Sequence, residues 1–559
     1  MTAAGWIEIA LYLAILTALT PLVGGYMARV YRSEPVFLDR LIGPVERLTY
    51  RLLGVDPARG QDWKAYAKST LVFSAVSWGL LYLILRTQGI HPFNPSGLDS
   101  GTWDLSFNTA SSFVTNTNWQ FYGGETTLSF FSQMAGLTVQ NFVSAAVGIA
   151  VAVAVIRALA ARSGREIGSF YPDVVRTILY VLLPISIVVG LFLASQGVIA
   201  SLAGDGGPVA SQEVIKQLGT NGGGFFNVNA AHPFENPTWL TGFVEALLIL
   251  LIPAALTSTY GRMVGNRRQG WALYAAMLGL LAVGIVVVAI AESDPTPAMH
   301  AAGITGSNLE GKELRFGIPS TSLWAVITTA ASNGSVNGAM ESLSGIGGLI
   351  PMANMQTGEV IFGGVGSGLY GMLMFAILGV FLSGLMVGRT PEFLGKKIEA
   401  REIKLTVFGT IGVPLLVLLG TALSMMKWGK VSIYDSGPQG FSESLYAYTS
   451  QANNNGSAFA GYTGFVQPSD APQFGITYAD LAGGLAMLAG RFLPLLAVLA
   501  IAGALVEKRV TPTGAGTFRT DSPTFVVVLV AVIVIVALLT FVPALLLGPV
   551  VQGMTDQLF

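Results

Sequence analysis

Long apolar segments alternate with polar connections along the whole chain. Ten of these segments have the ~20 residues that a helix needs to cross the ~30 Å hydrocarbon core of a bilayer. In lipid, only helices and closed barrels satisfy every backbone polar group, and uninterrupted apolar runs select helices. The pattern therefore predicts an all-α polytopic membrane protein. Its ten predicted transmembrane helices are 6–28, 66–87, 127–156, 173–200, 238–260, 270–292, 369–388, 405–426, 476–505 and 523–548.

The positive charges are distributed unevenly between the two sides of these spans. Of the 30 lysines and arginines, 23 fall in segments on one side. Cytoplasmic loops are enriched in these residues, so this side is predicted to be cytoplasmic and both termini to face the periplasm or the cell exterior. The first span lacks a basic start, and Arg29 follows it without a small-residue cleavage site, so we predict a retained span rather than a signal peptide.

Composition narrows the classes of function. Charged residues make up 11% of the chain, against about 25% in soluble domains. The absence of cysteine excludes disulfides and thiol catalysis, and a net charge of −1 argues against a nucleic-acid partner. Neither a phosphate-binding loop nor an Asp-Lys-Thr-Gly phosphorylation motif is present. We therefore predict no catalytic site on this chain, and any pumping must be driven by a partner or by an ion gradient.

Four outer connections, 88–126, 201–237, 293–368 and 427–475, each contain a similar short polar string. Each connection lies between an outgoing and a returning span, so spans two to nine form four helix–pore loop–helix repeats around a predicted central pore. The strings are aligned on Asn116, Asn221, Asn333 and Asn455, which are 105, 112 and 122 residues apart. The predicted division is 1–65, the first helix and a cytoplasmic loop; repeats at 66–165, 166–268, 269–404 and 405–510; and the last helix in 511–559.

A short, mildly apolar stretch of helical length precedes each string. A helix that ends partway through the membrane points its negative dipole end at the centre, which favours a cation there. The residues that follow can be extended, so that four strands present carbonyl oxygens in place of the hydration shell of a potassium ion. The strings contain only Thr, Asn, Gly and Ser, and without carboxylates they favour a monovalent cation over a divalent one. The predicted half-helices are 105–114, 211–218, 321–331 and 441–450.

Several single residues are weaker candidates for the ion path. Gln120 is either an amide-oxygen ligand or a polar residue of the outer entrance. Arg491 lies within an apolar span and Glu359 just before another, and charges within a membrane are usually paired or functional. We predict that these two pair with each other or line a water-filled passage, although a structural ion pair is an equal alternative. Arg389 is either a relay for a cation leaving the pore or a cytoplasmic anchor.

The motifs resemble those of a known family. The matching segments are Thr115–Gln120, Gly219–Asn227, Ser332–Ser335, Asn453–Phe459 and the inner string Gly388–Lys397. They closely resemble the KdpA family, the potassium-binding subunits of bacterial Kdp potassium-transporting P-type ATPases, within the wider superfamily of potassium transporters. The resemblance covers essentially the whole chain, including its length, its ten spans and its lack of cysteine.

The resemblance implies a potassium-selective, channel-like subunit of an ATP-driven uptake complex in the bacterial inner membrane. This subunit would bind potassium outside and pass it through an internal tunnel to the P-type ATPase subunit, KdpB, with KdpC and the small KdpF completing the complex. It would carry no cofactor of its own, since potassium is the transported ligand and ATP with Mg²⁺ acts on the partner.

Carried onto this sequence, the family's filter has one segment in each repeat. Phe375 and Arg389 would lie near the inner path. In our alignment Thr117 stands where the other repeats have glycine, which predicts an asymmetric filter. The implied filter residues are Thr115, Asn116, Thr117, Asn118, Gln120, Thr220, Asn221, Gly222, Gly223, Ser332, Asn333, Gly334, Ser335, Asn454, Asn455, Gly456 and Ser457.

Two other classes of function stay open at this point. An autonomous potassium channel would share the filter but need no partner. A gradient-driven symporter for an organic solute would grip its substrate with broken helices, but it predicts inverted repeats, whereas these four repeats run in the same direction.

Overall fold

The computed structural model describes residues 1–202, 206–388, 390–426, 429–464, 474–511 and 518–556. Within these residues, ten helices are long and apolar enough to cross a membrane. They correspond one by one to the ten predicted spans, so the all-α polytopic class is confirmed. The continuous helices are α1 Ala3–Tyr31, α3 Trp63–Arg86, α6 Val139–Ala160, α10 Trp239–Met263, α11 Arg267–Ser293, α15 Ser367–Val387, α16 Ala400–Ser424, α18 Phe474–Val506 and α19 Pro523–Leu545.

The third, fourth and tenth spans each include a π-helical segment. In the fourth span this segment joins two α-helices. This span runs from α7, Phe170–Arg176, through the π segment Thr177–Leu182 into α8, Leu183–Ser195. The other π segments are Ser132–Thr138, before α6, and Leu546–Val550, which connects α19 to α20, Val551–Met554.

Four shorter helices lie between paired spans, where the half-helices were predicted. We call them the pore helices: α4 Trp103–Val114, α9 Val209–Leu218, α13 Gly317–Ala330 and α17 Gly437–Asn453. Each begins two to four residues before its predicted first residue. Each packs against at least one span of its own repeat, for example α4 on α3 and α17 on α16 and α18.

The remaining described elements are short. The helices are α2 Asp39–Leu53, α5 Gly124–Thr127, α12 Pro297–Ala301 and α14 Gly345–Gln356, with 3₁₀ turns at Gln88–Ile90, Asn229–Ala231 and Lys430–Ser432. The strands are β1 Gln61–Asp62, paired with β2 Glu166–Gly168, and β3 Glu392–Phe393, paired with β4 Lys396–Lys397, both antiparallel. The sequence did not indicate α14, because its glycines and its polar flanks resemble the rest of the connection in which it lies.

Each pore helix is followed, one or two residues after its last residue, by a residue in a left-handed backbone conformation. These residues are Asn116, Thr220, Ser332 and Asn454, with φ values of 69°, 49°, 55° and 65°. A residue in this region cannot continue a right-handed helix, so the chain turns out of the helix axis at once. This local conformation places the polar strings at the ends of the pore helices, inside the molecule.

Candidate functional site

The four polar strings, defined here as 115–118, 220–223, 332–335 and 454–457, meet in one closed ring. A Cβ atom added to glycines of these strings would overlap a main-chain oxygen of the neighbouring string, so the backbones approach closely. The order around the ring is one, two, three, four and back to one. The contacts run from Gly222 to the Asn333 oxygen, from Gly334 to that of Asn455, from Gly456 to that of Thr117 and from Gly223 to that of Asn118.

Side-chain amides tie adjacent strings together around the ring. Four of the string asparagines donate to a neighbouring repeat, and all four are buried. Amide-to-oxygen bonds of this kind fix the spacing of the strings without placing a charge between them. The bonds run from Asn116 to the Thr220 oxygen (2.8 Å), from Asn333 to the Lys216 oxygen (3.1 Å), from Asn455 to the Thr328 oxygen (2.9 Å) and from Asn454 to the Thr117 hydroxyl (2.9 Å).

The structure corrects the alignment of the first string by one residue. The Thr117 amide donates to the Ser112 oxygen (2.9 Å), as the Asn221 amide does to the Lys216 oxygen (2.8 Å). Thr117 is therefore equivalent to Asn221, and Asn118 occupies the glycine position with a φ of 56°. The prediction that Thr117 stands at that position is wrong, because matching asparagine to asparagine ignored where the pore helix ends.

The string backbone uses its N–H groups and leaves carbonyl oxygens unpaired. The amides of Thr117, Asn221, Asn333 and Asn455 all donate back to the last turn of their own pore helix, at 2.8–3.0 Å. The carbonyl oxygens of the same residues accept no hydrogen bond from any described residue. Buried carbonyl groups normally have partners, so the ring offers oxygens for a ligand.

An outer vestibule of about 400 Å³ opens onto the ring. Residues of all four strings line it, including Asn118, Gly223, Gly334 and Gly456. The Asn118 side chain is 2% exposed, and neither of its amide atoms has a partner among the described residues. An unpaired amide of this kind, at the mouth of a ring of oxygens, is a further polar group available to a bound ion.

Gln120 lines the outer vestibule, which is one of the two positions that the sequence suggested for it. Its amide nitrogen donates to the Gly224 oxygen (3.1 Å), and its amide oxygen accepts from the Gly224 N–H (3.0 Å). The side chain thus connects strings one and two, and its oxygen already has a donor. Ligation of an ion by Gln120 stays a prediction.

A buried charge cluster lies directly behind string two. Lys216, in the last turn of α9, is fully buried and forms ion pairs with Glu213 (2.7 Å) and Glu235. The backbone oxygen of the same lysine accepts from the amides of Asn221 and Gly222. This cluster was not predicted, although Glu213 and Lys216, at positions i and i+3 of a predicted half-helix, indicated an ion pair there.

A small cavity of about 80 Å³ lies at the inner end of string four. Glu359, Phe375 and Arg491 line it together with Asn453 and Asn454, so the structure brings together three of the four predicted inner-path residues. Glu359 and Arg491 form no ion pair within 4.0 Å among the described residues. Their predicted ion pair is therefore not formed, and that they line a passage stays a prediction. Arg389 lies outside the described residues.

Comparison with known proteins assigns this site to a family. The sequence profile described as "KdpA: Potassium-transporting ATPase A subunit" matches residues 10–554. The chain belongs to this family. This member of the potassium-transporting ATPase A subunit family is a multi-pass membrane protein with four pore helices and a closed ring of polar strings.

The chain also has full-length relatives whose printed name is potassium-transporting ATPase potassium-binding subunit. One from Sorangium cellulosum is 50% identical over 584 residues, and one from Rhizobium rhizogenes is 51% identical over 570 residues. One from Methylorubrum extorquens is 52% identical over 577 residues. The alignments cover at least 99% of this chain and 99% of each of these relatives.

Proposed function

We propose that this chain is the potassium-selecting subunit of an ATP-driven potassium uptake complex. The observation that carries the proposal is the closed ring of four polar strings with unpaired carbonyl oxygens at the ends of four pore helices. Peptide oxygens replace the hydration shell of a potassium ion without a carboxylate that would favour a divalent ion. The family and the names of the relatives support the same conclusion.

In the proposed path, a potassium ion enters the outer vestibule, loses water in the ring and leaves toward the inner cavity. The negative dipole ends of the pore helices stabilise the dehydrated ion, because their last turns point toward the strings. Below the ring, Glu359, Phe375 and Arg491 mark the start of a tunnel toward a partner subunit. The proposed filter consists of seventeen residues, namely the sixteen residues of the four strings and Gln120 at the entrance.

The complex supplies what this chain lacks. A P-type ATPase subunit, KdpB, binds ATP and Mg²⁺ and drives transport, and KdpC and KdpF complete the assembly. This chain itself needs no cofactor beyond the transported potassium. It lies in the bacterial inner membrane with both termini on the outer side, as the distribution of lysine and arginine supports.

The filter assignment is tested with Gly222→Ala in the purified complex. Gly222 has a φ of 84°, and an added Cβ would overlap the Asn333 oxygen, so alanine must displace string three. We expect the potassium concentration for half-maximal ATPase activity to rise at least about tenfold, a loss of roughly 1.4 kcal/mol in binding free energy.

Gly279→Ala is the matched control, since a Cβ there meets nothing within 4 Å. An unchanged potassium dependence in a well-folded Gly222→Ala complex contradicts the filter assignment. Purification of the tagged chain from its native membrane tests the partner assignment. Co-purification of ATPase subunits supports the proposal, whereas an autonomous channel would purify without them.

A further inference from the structure

Three carboxylates converge at the outer vestibule. Glu341 lies after string three, Asp435 before pore helix α17 and Glu443 within that helix, and one oxygen of each lies within 4.8 Å of the others. Glu443 is fully buried, and Glu341 lines the vestibule. No lysine, arginine or histidine in the described part of the chain forms an ion pair with any of the three.

Such a cluster of like charges is costly to bury without a counter-charge. The Gly461 N–H donates to Glu341 (2.8 Å), and the Tyr434 and Asp435 N–H groups donate to Glu443 (3.2 and 3.3 Å). These bonds orient the carboxylates but add no positive charge. Burial, followed by the neighbouring carboxyls of Glu341 and Asp435, raises the pKa of Glu443 above its usual range.

A neutral oxygen ligand accompanies the carboxylates. Gln439 is 6% exposed, and its amide oxygen has no donor among the described residues. It precedes Glu443 by four residues in α17, so the two side chains share one helix face, and its amide lies against Glu341. The Oε1 atom of Glu341 also lacks a partner.

Gly461 leaves the space between the carboxylates open. A Cβ atom added there would overlap the Oε1 atoms of both Glu341 and Glu443. Any larger residue at this position would separate the two carboxylates, so the glycine permits their convergence.

We propose that Glu341, Asp435, Gln439 and Glu443 bind one divalent cation at the vestibule, with Ca²⁺ as the best match. Ca²⁺ accepts mixed carboxylate and amide oxygens in a flexible geometry, whereas Mg²⁺ demands a near-ideal octahedron and keeps several waters. The four ligands come from repeats three and four, so the ion connects their outer loops beside the pore entrance. This inference does not depend on which ion crosses the ring.

The test is a titration of the purified complex, stripped with EGTA, with CaCl₂ at constant potassium. We expect the Tm to rise with half-saturation on the order of 10⁻⁴–10⁻³ M, as in extracellular calcium modules. Asp435→Asn is expected to remove the rise. Asp294→Asn, which changes an exposed acid outside the cluster, at the beginning of the connection that contains Glu341, is expected to retain it.

Gln439→Met is a milder variant that keeps all three carboxylates. It is expected to raise the half-saturating CaCl₂ concentration at least about fivefold. A wild-type Tm that does not respond to CaCl₂ overturns the proposal. So does a response that persists unchanged in both Asp435→Asn and Gln439→Met. A stability that depends on pH but not on CaCl₂ would assign a shared proton to the cluster and equally exclude the metal.

Discussion

Gln120 and Gly224 form a reciprocal pair of hydrogen bonds, with the side-chain amide of one residue matched to the backbone N–H and oxygen of the other. The pair connects the first two repeats at the mouth of the ring. Gln120, which the sequence suggested as a possible ion ligand, therefore holds two repeats together. Substitutions can separate this structural role from ligation of an ion.

Gln120→Leu removes both bonds and leaves the Gly224 groups unpaired beside the ring. Unsatisfied polar groups cost about 1–3 kcal/mol each when buried, so we expect the half-maximal potassium concentration for ATPase activity to rise about tenfold. Gln120→Glu is the informative comparison. It keeps an acceptor for the Gly224 N–H but has no donor for the Gly224 oxygen, so it is expected to show an intermediate rise. If Gln120→Glu binds potassium as tightly as the wild type and Gln120→Leu binds it weakly, the result would favour direct ligation of the ion over a purely structural connection to Gly224.

Asn118→Gly gives the first string the residue type of the other three. Glycine adopts the left-handed conformation of this position readily, so we expect no loss of thermal stability. The substitution also removes a buried amide without partners that faces the vestibule. If this amide contributes to the outer ion site, the half-maximal potassium concentration rises about three- to tenfold while the Tm stays the same. An unchanged potassium dependence would exclude the Asn118 side chain as a ligand.

The spans and the half-helices could be predicted because both depend on local properties of the chain. Apolar length alone identifies a transmembrane helix, and a repeated polar string between paired spans identifies a pore loop. The ring order and the register could not be predicted in the same way. Asn116 resembles Asn221 in residue type, yet the hydrogen bonds back to the pore helix make Thr117 its equivalent.

Contacts between distant segments explain the other omissions. Lys216 and Glu235 are separated by string two in the sequence, and only the fold brings them together. Likewise, Glu341 and Glu443 belong to different repeats and meet beside Gly461. Glu359 and Arg491, which were predicted to pair or to line a passage, line one cavity. Among the described residues they form no ion pair with each other.

Lys216→Met is expected to destabilise the protein strongly. It leaves the carboxylates of Glu213 and Glu235 buried without their cation, and breaking a buried pair in this way costs about 3–5 kcal/mol. Thermal denaturation followed by gel filtration measures the loss. The double variant with Glu235→Gln is expected to recover part of the stability, because one uncompensated charge is removed. Equal stability of the single variant and the wild type would show that the cluster is not ionised as an ion pair.

The last prediction concerns the cytoplasmic side, where Lys396 connects two spans. Its ammonium is fully buried and donates to the Ala158 oxygen (2.8 Å) and the Leu505 oxygen (2.7 Å), at the carboxyl ends of α6 and α18. A cation at this place offsets two negative helix dipole ends and satisfies carbonyls that have no partner within their helices.

Lys396→Met is expected to lower the free energy of unfolding by about 1–3 kcal/mol, since the Ala158 carbonyl is left without a donor. The Leu505 carbonyl keeps only the Lys508 N–H (3.2 Å). The adjacent Lys397→Met is the control, because Lys397 is 59% exposed and forms a single surface ion pair with Glu399, which contributes about 0–1 kcal/mol. Both α6 and α18 belong to repeats that contribute strings to the ring. A clear drop in Tm for Lys396→Met but not for Lys397→Met would show that the β3–β4 hairpin holds these two helices together. Equal Tm values for the two variants would instead mean that helix packing alone positions them.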